Sequence, residues 1–151
     1  MSRVLITGMS GAGKSTLLVE LSRRGYETID TDYDGWVLPD GTWDEACMSA
    51  LLASGRPVVV SGTVQNQGRF YDRFNAVVLL SAPVDVLIER VADRTNNPYG
   101  NAEAERSVIR QHVADVEPLL RNGATLELDG RRPVSELADE VERLILAYNQ
   151  T

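Results

Sequence analysis

The chain has 151 residues, 43% of them hydrophobic, which is enough for one domain with its own core and is not the composition of a disordered segment. A net charge of −7 works against a nucleic-acid partner, so an anion-binding site here must be local, built from a few placed cations and backbone N–H groups. No stretch is long and apolar enough for a membrane span, and the first apolar run, "VLI", is too short for a signal peptide; the expectation is a cytoplasmic protein without a membrane partner.

In chain order, "RVLIT" reads as a buried strand. "KSTLLVELSRRG" follows with helical spacing and Gly25 as its C-terminal cap. "YETID" is a second strand, placed beside the first, and residues 31–41 form an Asp- and Gly-rich loop. Thr42 is the expected N-cap of "WDEACMSALLASG", with Glu45 in the capping-box position and Cys47 as a small buried residue. "RPVVVSG" is a third strand, "TVQNQGRFYDRF" a loop with a short helix, and "NAVVLLSA" a fourth strand. Pro83 opens "PVDVLIERVADRT". "NNPYGN" interrupts, and "AEAERSVIRQHVADVEPLLRNG" resumes the helix, with Pro118 expected to kink or divide it. "ATLELD" is a fifth strand and "PVSELADEVERLILAYN" a final amphipathic helix.

Short apolar strands separated by helices imply parallel crossovers. The expected fold is a three-layer α/β/α domain over residues 1–151, with a five-stranded parallel sheet and a lid at about 94–106. Its ligands belong at the carboxyl ends of the strands.

"GMSGAGKST" joins the first strand to the first helix and holds the chain's one lysine, Lys14, against fourteen arginines. Gly8, Gly13, Lys14 and Ser15 match G-x-x-x-x-G-K-S, the phosphate-binding loop of nucleotide-binding proteins. Glycines at 8, 11 and 13 let backbone N–H groups approach an anion, and the helix start adds its positive end. Gly11, Ala12, Gly13, Lys14, Ser15 and Thr16 then hold the phosphates of ATP. The ammonium of Lys14 acts as a point charge where a planar guanidinium is too wide. The Ser15 hydroxyl is a ligand for Mg²⁺.

"IDTD" places Asp30 and Asp32 after the second strand. Asp32, with Asp30 as the alternative, supports Mg²⁺ or takes the proton of an attacking hydroxyl. The third strand ends "VVVSGT" without an acidic residue, so metal support falls to Ser15 and this pair. Gly62, Gln65, Asn66, Gln67 and Arg69 then offer a close approach and polar groups to an acceptor. Arg90 and Arg94 lie on one helix face, Arg94 just before the lid. Arg106 follows the lid, with Arg110 one turn on. Arg94 and Arg106 are expected to close on the γ-phosphoryl group. His112, the lone histidine, is given no chemistry.

Together, "GMSGAGKST", "IDTD", the "SG" after the third strand, "VVLLSAPVDVLIERVADR" and "ATLELDGRRP" resemble the shikimate kinase and gluconate kinase branch of the small P-loop kinases, related to nucleoside monophosphate kinases. The resemblance spans nearly the whole chain. It implies an ATP- and Mg²⁺-dependent kinase, with Asp129, Gly130, Arg131, Arg132 and Pro133 at the adenine and an arginine stacked on the base. It also implies where the chain departs. Shikimate kinases grip a carboxylate with arginines, yet no arginine stands between Arg24 and Arg56, and "VADVEPLL" is acidic and apolar where another is expected. With Tyr33, Trp36 and Trp43 in the acceptor region, the expected acceptor is a neutral or aromatic hydroxylated molecule rather than shikimate. The expected assembly is a monomer or homodimer. A nucleotide-binding switch or slow ATPase without an acceptor is the alternative.

Overall fold

A computed structural model describes residues 2–95 and 103–149. Five strands form one sheet: β1 (Arg3–Thr7), β2 (Thr28–Asp30), β3 (Val58–Ser61), β4 (Ala76–Ser81) and β5 (Leu126–Asp129). The helices are α1 (Lys14–Arg23), α2 (Glu45–Ala53), α3 (Val84–Thr95), α4 (Glu103–Gly123) and α5 (Val134–Asn149), with a 3-10 segment at Gln67–Arg73. Strand order is β2-β3-β1-β4-β5 and every pairing is parallel. The fold is thus the expected α/β/α one. One placement differs: β2 pairs with β3 at the sheet edge and does not touch β1.

The strands are apolar on both faces because both faces are covered. Val4 and Ile6 of β1, Val59 of β3 and Val78 of β4 join one core with Leu17 and Leu21 of α1 and Val141 and Ile145 of α5. Leu5, Val58, Val60 and Val77, one residue out of step, join the other with Met48, Leu51 and Leu52 of α2 and with Phe70 and Phe74. The two-residue period of a strand sorts adjacent valines and leucines to opposite layers. Charge also ties α1 to α5. Arg24 binds Glu20 on its own helix and Asp139 and Glu142 on α5, and Tyr26 donates to Glu142. Hydrogen bonds from Arg23 and then Arg24 hold the Glu20 carboxyl down at about 2.

Several local expectations are corrected. The N-cap of α2 is Asp44, whose side chain accepts from Cys47 N–H; Thr42 bonds Asp40 instead. Asp44 carries the stronger acceptor and sits where the chain is still extended. Cys47 is exposed, because α2 turns Met48, Leu51 and Leu52 inward and leaves residue 47 on the solvent side. Pro118 does not divide α4, which runs continuously from Glu103 to Gly123.

Trp43 is fully buried in the second core and donates from its indole to Thr31 Oγ1 at 2.9 Å. It packs edge-on to Phe70 at 5.9 Å, so it is core and not an open surface for an acceptor. Trp36 packs partly buried against the same cluster. Gly62 belongs to this arrangement. A Cβ there would stand 2.3 Å from Thr31 Oγ1 and 3.2 Å from the Trp43 ring. The chain's own side chains therefore fill the approach that the sequence reading gave to a substrate. Gly62→Ala should destabilise the fold by on the order of 1–3 kcal/mol through overpacking. A thermal melt should show a Tm lower by several degrees; an unchanged Tm would mean that Thr31 and Trp43 can step aside.

Candidate active site

The carboxyl end of the central strand β1 runs into the loop Gly8–Gly13, and α1 starts at Lys14. Gly13 at its head is left-handed, with φ 105°, and makes no side-chain cap. The first turn of α1 has no acidic residue. No side chain caps this helix start, and the helix dipole favours an anion there. Gly8 and Gly11 do a second job. A Cβ on Gly8 would meet Leu80 C=O at 2.4 Å, and one on Gly11 would meet Leu87 C=O at 2.8 Å. They seat the loop against β4 and α3 as well as freeing its N–H groups.

Lys14 folds across this loop, its ammonium donating to Gly8 C=O at 2.5 Å and reaching Met9 C=O at 3.4 Å. A compact charge fits between two carbonyls of a tight turn; a planar fork does not. Thr63, which sequence reasoning passed over in favour of Gly62, locks the loop from β3. Its hydroxyl donates to Gly8 C=O, accepts from Gly8 N–H at 3.2 Å and contacts Thr7 Oγ1 at 3.1 Å. The signal was a hydroxyl directly after "SG", at the end of the strand next to β1.

Ser15 and Asp30 meet. Ser15 Oγ donates to Asp30 Oδ2 at 2.9 Å, and Asp32 N–H donates to Asp30 Oδ1 at 3.1 Å. Asp30 closes β2 opposite Ser61, which aims its carboxylate at the start of α1 across β3. Asp32 is exposed one turn further on. Among the described residues no group of three or more His, Cys, Asp or Glu is arranged to hold a metal. The donor set of one hydroxyl and adjoining carboxylates still fits Mg²⁺. That ion keeps several waters and takes other oxygens from substrate phosphates.

On the other side of the loop lies a cavity of about 480 Å³ lined by Gly13, Thr16, Arg90, Gly130, Arg132 and Val134, among others. Arg90 is its clasp: it donates to Gly11 C=O at 3.1 Å and to Gly130 C=O at 3.0 Å, tying the loop to the turn after β5. Gly130 is required there, since a Cβ would stand 2.4 Å from Ala12 C=O. Arg90 was legible only as one turn before Arg94 on the same face. Arg131 is turned to Asp129, and that hydrogen bond holds the Asp129 carboxyl down at about 2. Arg132 faces the cavity with Glu136 and Glu140 behind it. Pro133 caps α5, its carbonyl accepting from Glu136 and Leu137 N–H. Arg90→Ala should weaken ATP binding about tenfold, since two loop carbonyls lose a charged donor. Titration calorimetry would check this, and an unchanged Kd would make the clasp irrelevant to nucleotide.

The remaining sequence candidates scatter. Asn66 brackets Trp43, accepting from its N–H at 3.0 Å and donating to its C=O at 3.1 Å. Arg69 pairs with Glu45 at 3.1 Å on the surface. Gln67 is buried and bonds Val64 N–H, Thr7 and Tyr71. Gln65 is exposed. Of the lid at 94–106, residues 96–102 and the side chain of Arg94 lie outside the described residues. Arg106 is on α4, its Nε buried without a hydrogen-bond partner among the described residues.

A family model described as an AAA domain matches residues 4–111, the stretch that carries the loop, β2, β3 and the Arg90 helix. The chain belongs to that family. Among curated proteins no sequence matches it. Solved structures share the whole fold. A shikimate kinase from Acinetobacter baumannii in complex with shikimate has a TM-score of 0.74 at 21% identity, covering 100% of this chain and 96% of that one. The YorR protein of Bacillus subtilis, in complex with phosphorylated GDP, reaches 0.72 at 19% identity over 99% of each chain. A gluconokinase from Sinorhizobium meliloti reaches 0.69 at 22% identity, covering 99% and 97%. At such identities the likeness is one of fold: a P-loop domain with the strand order and flanking helices of small-molecule kinases. Among the described residues no helix is long and apolar enough to cross a membrane.

Proposed function

We propose that this protein transfers the γ-phosphoryl group of Mg·ATP to a hydroxyl of a small molecule other than shikimate. One observation carries the reading. An uncapped helix start, a lysine ammonium and a Ser15–Asp30 pair converge on one loop, with a cavity of about 480 Å³ beside it. The folds of the solved relatives support it, because they include kinases acting on shikimate and gluconate.

In this reading the N–H groups of residues 11–16 and Lys14 hold the phosphates, and adenine enters the cavity against Arg90 and Arg132. Mg²⁺, held through Ser15 with Asp30 or Asp32 behind it, would offset charge on the β- and γ-oxygens. Asp30 or Asp32 orients the acceptor hydroxyl and takes its proton as the hydroxyl oxygen bonds to phosphorus and the β–γ bridge breaks to release ADP. Arg94 and Arg106, which bracket the lid in the sequence, are the arginines this reading assigns to the transferring group. Most of the rate comes from alignment, because phosphoryl transfer asks little covalent chemistry of the protein. Shikimate is set aside because the chain has no arginine between Arg24 and Arg56 to meet its carboxylate.

The test is ADP release over a panel of hydroxylated acceptors. Release above the acceptor-free level with at least one of them is expected. A level that never moves, with ATP bound, would favour a nucleotide switch or slow ATPase instead.

A further inference from the structure

A chain of polar side chains behind the phosphate loop has a fixed direction. Val64 N–H donates to Gln67 Oε1 at 2.8 Å, and an N–H can meet only an acceptor, so the Gln67 amide has one orientation. Its nitrogen then directs one hydrogen to Thr7 Oγ1 at 3.0 Å and the other to Tyr71 Oη at 2.7 Å. Gln67 is 3% exposed and Thr7 is fully buried, so this part of the chain is shut off from solvent. Thr7 Oγ1 accepts from Gln67, and its own hydrogen goes to Thr63 Oγ1, 3.1 Å away. Thr63 Oγ1 therefore accepts from Thr7 and from Gly8 N–H, and its single hydrogen is left for Gly8 C=O at 2.5 Å. The donors run one way, from Gln67 through Thr7 and Thr63 to one carbonyl of the phosphate loop.

Two donors meet on that carbonyl, because Lys14 Nζ reaches the same oxygen at 2.5 Å. Gly8 is buried, and a buried carbonyl stripped of its donors is costly. An ammonium that moves from Gly8 C=O to phosphate oxygens would leave such a group behind if it were the sole donor there. The Thr63 hydroxyl stays and keeps the oxygen bonded. It also shares the oxygen's lone pairs, which weakens the hold of the resting loop on the ammonium.

Resting on the phosphotransferase reading, we propose that Thr63, aimed by Gln67 through Thr7, releases Lys14 to the nucleotide. Both are positioning residues, acting on Lys14 through Gly8 C=O. Tyr71 anchors the far end of the chain, its ring packed so closely on Gly123 at the end of α4 that a Cβ there has no room.

Lys14 is the chain's one lysine, so lysine labelled with a nitrogen isotope gives one side-chain ammonium signal. The test follows that signal by NMR in the full chain, with and without Mg·ATP, beside calorimetric titration of Mg·ATP. In the wild type the signal should shift when Mg·ATP is added. Thr63→Val keeps the shape and removes the hydroxyl. It should weaken Mg·ATP binding about tenfold and slow hydrogen exchange of the ammonium in the nucleotide-free protein. Thr63→Ser should keep most of the affinity. Gln67→Met should act in the same direction and several-fold, since Thr7 then lacks the donor that turns its hydrogen to Thr63; it also tests the same step if Thr63→Val fails to fold. A Thr63 that merely braced the loop gives the opposite sign, because a loosened loop would expose the ammonium and speed its exchange. Faster or unchanged exchange, or an unchanged Kd in either Thr63→Val or Gln67→Met, overturns the proposal while the phosphotransferase reading stands. An ammonium signal that Mg·ATP never moves overturns the phosphate-loop assignment, and the proposal with it.

Discussion

Lys14→Ala should lower turnover with ATP by a factor of about 10²–10³, the usual loss when one preorganised donor to a developing charge is removed. The ammonium spans Gly8 C=O and Met9 C=O, so it is already held at the mouth of the loop and needs little rearrangement to meet a phosphate. Lys14→Arg should do nearly as badly. The planar, five-donor group cannot fit between two carbonyls of one tight turn. Circular dichroism should report an intact fold in both variants, because Lys14 belongs to neither core cluster. Steady-state kinetics and ATP titration check the result. Wild-type affinity and turnover in Lys14→Ala would remove the phosphate-loop assignment and everything built on it.

Asp30→Asn is the second large effect: kcat should fall by about 10²–10⁴, the range for losing a positioned general base or its equivalent. The carboxylate has two partners, Ser15 Oγ and Asp32 N–H. An amide could keep one of these bonds but would carry no charge for Mg²⁺ or a proton. A higher Mg²⁺ requirement should accompany the drop if Asp30 works through the metal; an unchanged requirement with the same drop assigns it to the acceptor proton. Asp32→Asn should cost less, since Asp32 is exposed and meets Asp30 through its backbone. If Asp32→Asn proves the more damaging, the order of the pair reverses. The Ser15–Asp30 contact is exposed, so neither change should move the Tm by more than a degree or so.

Much of this was readable from the order of residues. The loop was legible because its chemistry is local: glycines, lysine and serine act within one turn of chain, so their spacing alone specifies the cradle. The five strands were legible because β-branched runs between helical patterns imply parallel crossovers. Asp30 and Asp32 were found as a pair, but the sequence put Asp32 first beside Ser15, whereas it is Asp30 that meets the Ser15 hydroxyl. That choice depends on β2 standing outside β3, a long-range pairing that no local pattern encodes.

Other roles depended on distance in space. Trp43 and Gly62 looked like parts of an acceptor site, yet they pack on each other with Thr31, pairs that stand twelve or more residues apart in the chain. Arg90 looked like an ordinary helix arginine until folding brought Gly11 and Gly130 to its two ends. The sequence by itself determined the loop and the layer order, since both follow from contacts within a few residues or from the period of apolar side chains. The tertiary structure alone decided which aspartate faces the loop and which arginine clasps it, since those are meetings of residues far apart in the chain.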